Sequence, residues 1–110
     1  MKLRIEDSSV RFRLSEKDLK ELYKKGKIKG SCQFGSSSIF KYSIKTSKDH
    51  NEEVMCITLK KNHIVVEINK NDVKEWYKTD LVGFDSEMDN GGDDGLYVLI
   101  EKDFPCLPHK

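Results

Sequence analysis

A short unit of strand, tight turn, strand and helix occurs twice in the chain, and this recurrence constrains the fold more than any other feature. The clearer copy has a strand at 54–60, a turn at Lys61-Asn62, a second strand at 63–68 and then a helix. Asn62 tolerates a positive φ, which suits a two-residue hairpin loop. With that loop, alternation places three apolar pairs on one face of the hairpin: Leu59 with Ile64, Ile57 with Val66, and Met55 with Ile68.

The helix after this hairpin begins with recognisable capping signals. Asn69 is a good N-cap residue, and Asp72 places a carboxylate in the first turn, near the positive end of the helix. Val73, Trp76 and Tyr77 then form an apolar stripe with helical spacing. The sequence therefore predicts a short amphipathic helix that packs on the hairpin.

The N-terminus repeats the arrangement around a turn at Asp7-Ser8. Ser15 and Asp18 have capping-box spacing, and Gly26 is suited to end the helix. The expected cross-strand pairs of this hairpin are Ile5 with Val10, Leu3 with Phe12, and Met1 with Leu14. The expected apolar stripe of the helix is Leu19, Leu22 and Tyr23. The two copies recur at a period of about 55 residues. A chance recurrence of common local signals is the alternative interpretation.

Each helix is followed by another predicted hairpin, at 28–34 and 39–45 and again at 81–86 and 96–102. The predicted fold class is α+β, a curved antiparallel sheet or partial barrel of about eight strands with two short helices. The chain is expected to form a single domain, 1–110, with half-repeats at 1–45 and 54–103.

Several strand residues are apolar on the face opposite the core: Val54, Cys56, Val65, Tyr97 and Leu99. Strands that are apolar on both faces are usually central in a sheet or covered by a partner. The pattern therefore favours central strands, and it raises the expectation of a homodimer.

Composition argues against several classes of protein. The chain has 20 Lys and Arg against 19 Asp and Glu, so its net charge of +1 does not mark the whole molecule as a polyanion binder. No apolar run approaches the length of about 18 residues that a membrane span needs, and no signal region opens the chain. Three widely spaced cysteines favour reduced thiols. The sequence therefore predicts a cytoplasmic protein without membrane contact.

The outward face of the first hairpin is basic. In the expected register Arg4 faces Arg11, and like charges opposite one another are destabilising unless other groups compensate them. One interpretation is a solvated face neutralised by carboxylates such as Glu67 or Glu101. The other is a site for phosphate, nucleic acid or an acidic partner. The candidate binding residues are Lys2, Arg4, Arg11 and Arg13.

A second basic cluster follows the first helix, at Lys24, Lys25, Lys27 and Lys29. Lysines near a helix C-terminus interact favourably with the helix dipole, which is the simpler interpretation. A basic groove shared with Arg11 and Arg13 is the alternative.

No catalytic or metal site emerges from the motifs. The acidic stretch 85–95 alternates carboxylates like a calcium loop, but Leu96 occupies the position where the last acidic ligand belongs. Cys106 and His109 supply only half of a zinc site. Cys106 with His63 or His109 is weak evidence for a nucleophile. We therefore expect no cofactor, no metal site and no catalytic residues.

The opening residues MKLRIEDSSVRFRLSEKDL resemble an uncharacterised family of short bacterial proteins, a domain of unknown function. Further matching residues are Phe34-Gly35, Trp76, Val82-Gly83-Phe84, Glu101-Lys102-Asp103-Phe104 and Cys106-Leu107. The resemblance implies a bacterial, cytoplasmic protein, and it carries over no catalytic residues.

The expected function is a non-catalytic binding or protein-interaction module whose partner is another protein or a second copy of the chain. Nucleic-acid or anion binding through the first hairpin is an alternative. A small-ligand binder or enzyme with its site in the sheet concavity is another.

Overall fold

The computed structural model describes residues 1–48 and 55–104, and this part of the chain folds into eight strands and two short helices. The α+β class is therefore confirmed. In chain order the elements are β1 (Lys2–Glu6), β2 (Ser9–Leu14), α1 (Glu16–Lys25), β3 (Lys27–Gln33), β4 (Ile39–Ser47), β5 (Met55–Lys60), β6 (His63–Asn69), α2 (Lys70–Lys78), β7 (Gly83–Met88) and β8 (Leu96–Lys102).

The strands form two open sheets instead of one. Sheet A has the order β1-β2-β8-β7, and sheet B has the order β3-β4-β6-β5. The hairpins are antiparallel, but the central pairs β2–β8 and β4–β6 are parallel. Each helix carries the chain from one sheet to the other, so every hairpin pairs with a hairpin from the other half of the sequence.

The predicted hairpin registers are confirmed from Leu3–Phe12 to Ile5–Val10 and from Met55–Ile68 to Lys60–His63. Lys61 and Asn62 have φ values of 47° and 61°, as a type I′ turn requires. Such a turn twists in the same sense as the strands it joins, which explains why the local pattern predicted the register correctly.

The caps of the two helices differ. The Ser15 side chain accepts a hydrogen bond from the Asp18 backbone N–H, and the Asp18 carboxylate accepts one from the Ser15 N–H, so the predicted capping box is confirmed. Gly26 ends α1 with a φ of 80°. Asn69 precedes α2 but makes no side-chain cap bond; its Nδ2 instead donates to Asp72 Oδ2 at 3.2 Å.

The prediction of central strands is correct for β6 and β8, which carry Val65, Tyr97 and Leu99. It is wrong for Cys56, because β5 lies at the edge of sheet B. Val54 lies outside the described residues.

The inner faces of both sheets and the apolar stripes of the helices share one core. Trp76 is fully buried, and its Nε1 donates to the Val82 carbonyl oxygen at 3.0 Å. The same carbonyl accepts the backbone N–H of Lys102 at 2.9 Å. These bonds hold the segment before β7 against β8.

Candidate anion-binding site

The predicted basic residues of the first hairpin lie on the outer face of sheet A, beside carboxylates. Lys2 pairs with Asp103 at 2.7 Å, and Arg13 contacts the same carboxylate at 3.1 Å. Arg11 and Arg13 approach Glu101 at 3.8 and 3.6 Å. Hydrogen bonding from Lys2, which with Arg13 outweighs desolvation, holds the pKa of Asp103 below its ordinary value.

The acidic half of sheet A explains how the facing like charges are tolerated. In the register, Arg11 lies beside Leu99 on β8, and Leu99 lies beside Asp85 on β7. Asp85 Oδ2 accepts a hydrogen bond from the Tyr97 hydroxyl at 2.9 Å, which raises the pKa of Tyr97. Because Glu101 contacts both Arg11 and Arg13, the expected neutralisation by Glu101 is observed. Glu67, the other carboxylate considered, lies on β6 in sheet B. The anion site at Lys2, Arg4, Arg11 and Arg13 stays a prediction, with internal carboxylates as competitors.

The outer face of sheet B has a different charge balance. Its outward positions carry Lys27 and Lys29 on β3, Lys41 and Lys45 on β4, and Lys60 on β5. Glu67 is the carboxylate at the outward positions of these four strands, and it pairs with Lys45 at 3.7 Å. This surface, defined by those five lysines, is called the lysine face below.

A hollow of about 450 Å³ lies within the lysine face. Ser43 is only 1% exposed, and its Oγ lies 3.0 Å from His63 Nε2. Small residues in the middle of the sheet and long lysines around them produce this shape. The lining consists of Lys27, Lys29, Gly30, Ser31, Lys41, Tyr42, Ser43 and His63.

The backbone beneath the hollow depends on Gly30. A Cβ atom at this position would lie 2.5 Å from the ring of Tyr42, its cross-strand partner. The Tyr42 ring therefore covers the glycine on the inner side of the sheet. The outer side is left with a shallow floor, because neither Ser31 nor Ser43 has the volume to fill it.

The lining chemistry is that of an oxyanion site. Lysine ammonium groups only donate hydrogen bonds, and serine hydroxyls and an imidazole can also donate. No carboxylate lines the hollow, and within residues 1–48 and 55–104 none of the observed ion pairs involves Lys27, Lys29 or Lys41. A ligand rich in acceptor oxygens would satisfy these groups.

A second hollow, of about 250 Å³, adjoins the end of α1. Gly26 lines this second hollow, and the next residue, Lys27, lines the first. The lining of the second hollow consists of Tyr23, Lys24, Lys25, Gly26, Thr46, Ser47, Lys48 and Lys70. Of the predicted second basic cluster, Lys27 and Lys29 therefore belong to the lysine face, whereas Lys24 and Lys25 line the second hollow. The alternative groove shared with Arg11 and Arg13 is not formed, because β2 belongs to sheet A.

Sequence reasoning missed the group formed by Lys41, Ser43 and His63. Ser43 and His63 come from β4 and β6, which meet only through the parallel pairing of these strands. Alternation of lysines at Lys27 and Lys29 was the available signal. It gave no indication of the strand that would complete the site.

The remaining candidate groups do not form a metal site in the part of the chain that the structure describes. No cluster of three or more His, Cys, Asp or Glu residues occurs there. Cys32 and Cys56 are free thiols, and Cys106 and His109 lie outside the described residues. Neither α1 nor α2 combines the length and apolar character needed to cross a membrane.

Comparison with known proteins identifies a family without an assigned activity. No match was found among curated proteins or among solved structures. A family model, described as a family of unknown function, matches residues 1–110, the whole of the sequence. The predicted resemblance is therefore confirmed, and the chain belongs to the family of unknown function DUF7009.

Proposed function

We propose that the protein is a non-catalytic binding module that holds a nucleic acid by its phosphate backbone. The observation that carries the proposal is the lysine face, where the outward positions of the four described strands hold five lysines and one carboxylate, Glu67. Lysines account for most sequence-independent affinity for nucleic acids, because they replace counterions condensed on the phosphates.

The charge distribution supports this choice over binding by net charge. The molecule carries only +1 overall, yet sheet A mixes both signs while the lysine face is almost entirely positive. A positive patch attracts polyanions and orients them during approach, even on a nearly neutral protein.

The non-catalytic part of the proposal rests on the surroundings of His63. The Ser43–His63 contact resembles two members of a catalytic triad, but such a triad needs a third group that orients the imidazole. The described lining supplies lysines and serines instead of a carboxylate. These neighbours suit the holding of an anion better than the removal of a proton.

The test is fluorescence anisotropy with a labelled single-stranded 20-nucleotide DNA, in salt from about 50 to 200 mM. We compare wild type with a Lys27→Gln/Lys29→Gln/Lys41→Gln variant. The control is Lys17→Gln/Lys20→Gln/Lys74→Gln, which removes the same charge from exposed helix positions. The first triple should weaken binding at least tenfold and lower the salt slope by about 2.

Two results would overturn the proposal. One is undetectable binding by wild type at the lowest salt, and the other is an equal loss in both triple variants. An Arg4→Ser/Arg11→Ser/Arg13→Ser variant tests the hairpin face in the same assay. A loss confined to that variant would move the site to sheet A, where the sequence predicted it.

A second candidate function is protein interaction, favoured by apolar side chains at one end of sheet B. Phe34 is 75% exposed, Leu59 67% and Ile39 39%. The turns of the two hairpins meet at this end, where the Lys41 N–H donates to the Asn62 carbonyl at 2.8 Å. A second copy of the chain would bury these residues, and light scattering would then give twice the monomer mass.

The proposed location is the bacterial cytoplasm. The described thiols, Cys32 and Cys56, are free, as expected in a reducing compartment. Detection of the protein in a cytoplasmic fraction would test this part of the proposal.

A further inference from the structure

We infer that the 450 Å³ hollow binds a terminal phosphate of a single-stranded nucleic acid, so that phosphorylated strand ends bind more tightly than internal phosphates. The inference rests on the proposed function and adds a ligand group and a subsite to it.

Donors approach the hollow from three strands. Lys27 and Lys29 come from β3, Lys41 from β4 and His63 from β6. Ser43 lies at the floor between them, because it is paired with Lys29 on one side and Val65 on the other. A ligand with acceptors pointing in several directions would use more of these donors than a linear one.

A phosphate monoester has this shape and charge. It carries about −1.5 to −2 charges at neutral pH and three acceptor oxygens that are not part of the ester. An internal phosphodiester carries a single charge and two such oxygens, and its chain leaves on both sides. Because Ser43 closes the floor of the hollow, a terminal phosphate fits there more readily than an internal phosphate, whose chain must continue on both sides.

The size of the hollow leaves room for more than the phosphate. Volumes of about 300 to 1,000 Å³ are typical of sites that hold small organic ligands. The terminal nucleotide could therefore occupy the hollow with its phosphate at the floor. The second hollow also has lysines in its lining: Lys24, Lys25 and Lys48.

The Ser43–His63 hydrogen bond determines which way the Ser43 hydroxyl donates. When His63 Nε2 carries the proton, it donates to Ser43 Oγ at 3.0 Å, and the hydroxyl hydrogen is free to point into the hollow. His63 is then a positioning residue for Ser43, in addition to offering its ring edge to the ligand.

The experiment compares three single-stranded 12-nucleotide DNAs of one sequence, with a 5′-phosphate, a 3′-phosphate or hydroxyls at both ends. Anisotropy competition measures their affinities for wild type, Ser43→Ala and His63→Gln. Wild type should prefer at least one phosphorylated strand about tenfold or more, the effect of a hydrogen bond to a charged group. Ser43→Ala should lose most of this preference and keep its affinity for the hydroxyl strand.

The controls separate the two proposals. The Lys17→Gln/Lys20→Gln/Lys74→Gln variant should keep the preference, and circular dichroism melting verifies the folding of each variant. His63→Gln provides the test if Ser43→Ala does not fold. Equal affinities of wild type for all three strands would overturn the terminal-phosphate site and leave the proposed function in place. Absence of binding to every strand would overturn both.

Discussion

Tyr23 and Tyr77 stack on each other with ring centroids 4.8 Å apart, although 54 chain positions separate them. They occupy equivalent positions of α1 and α2, since the caps Ser15 and Asn69 are separated by the same 54 positions. Contact between equivalent residues is what a two-fold axis produces. The arrangement supports the interpretation of the chain as two half-repeats, which stays a prediction.

The equivalence also shows why only one sheet presents a positive face. In the strand registers Lys45 pairs with Glu67 as Glu101 pairs with Arg13, so Lys45 corresponds to Glu101. Lys29 corresponds in the same way to Asp85, because Lys29 pairs with Ser43 and Asp85 with Leu99. In sheet A these acidic strands lie beside the basic first hairpin. In sheet B the lysine strands lie beside a hairpin with Glu67 as its outward carboxylate, so one carboxylate faces five lysines at the outward positions of the described strands.

The stacked tyrosines should couple energetically. Tyr23→Ala and Tyr77→Ala are each expected to destabilise the fold. The double variant should fall short of the sum of the single effects by about 0.5–1.5 kcal/mol, the value for aromatic pairs. Urea unfolding followed by Trp76 fluorescence measures all four free energies. Strict additivity would show that the stacking contributes nothing beyond burial.

The two helix caps should respond differently to truncation. Ser15→Ala removes a side-chain bond to the Asp18 N–H and should cost about 1 kcal/mol of unfolding free energy. Asn69→Ala should cost less than about half of that, because Asn69 makes no cap bond and its buried Oδ1 lacks a described partner. Chemical unfolding of both variants measures the difference, and equal losses would contradict the assignment of the capping box.

Gly83 should tolerate no side chain. A Cβ atom there would collide with the Ile100 carbonyl oxygen, so β7 and β8 would have to separate. Gly83→Ala is expected to destabilise the protein by about 3 kcal/mol or more, at the upper end of overpacking costs. Gly35→Ala is the matched control, since its nearest contact would be at 3.8 Å. Thermal melting should show a large loss for the first variant and little change for the second.

Stability should depend on pH through Asp103. Its pKa in the folded protein is lowered from 3.8, chiefly by the hydrogen bond with Lys2. A lowered folded pKa stabilises the native state above the unfolded value, and this contribution disappears as the pH falls through the folded pKa. Asp103→Asn should therefore lower the melting temperature at pH 7 and have little effect near pH 2. A difference that stays constant between these pH values would contradict the role of the charge.

The parts of the fold that sequence analysis predicted well depend on neighbours in the chain. The register of Ile5 with Val10 follows from a two-residue turn and alternation, and a slip of one residue would expose the apolar face. The α1 cap likewise needs only Ser15 and Asp18, three positions apart. The candidate site could not be predicted in this way, because Ser43 and His63 meet through a parallel pairing that leaves no local signal.

The sequence by itself determined the registers of the two hairpins that open each half, the α1 cap and the alternation of Lys27 and Lys29, since short-range geometry decides all of these. The tertiary structure decided that β2 pairs with β8 and β4 with β6. That choice depends on how two hairpins and two helices bury their apolar faces together, which is a property of the whole chain. It also determined which charges lie side by side, so that Arg13 meets Glu101 while Lys29 and Lys41 surround an open hollow.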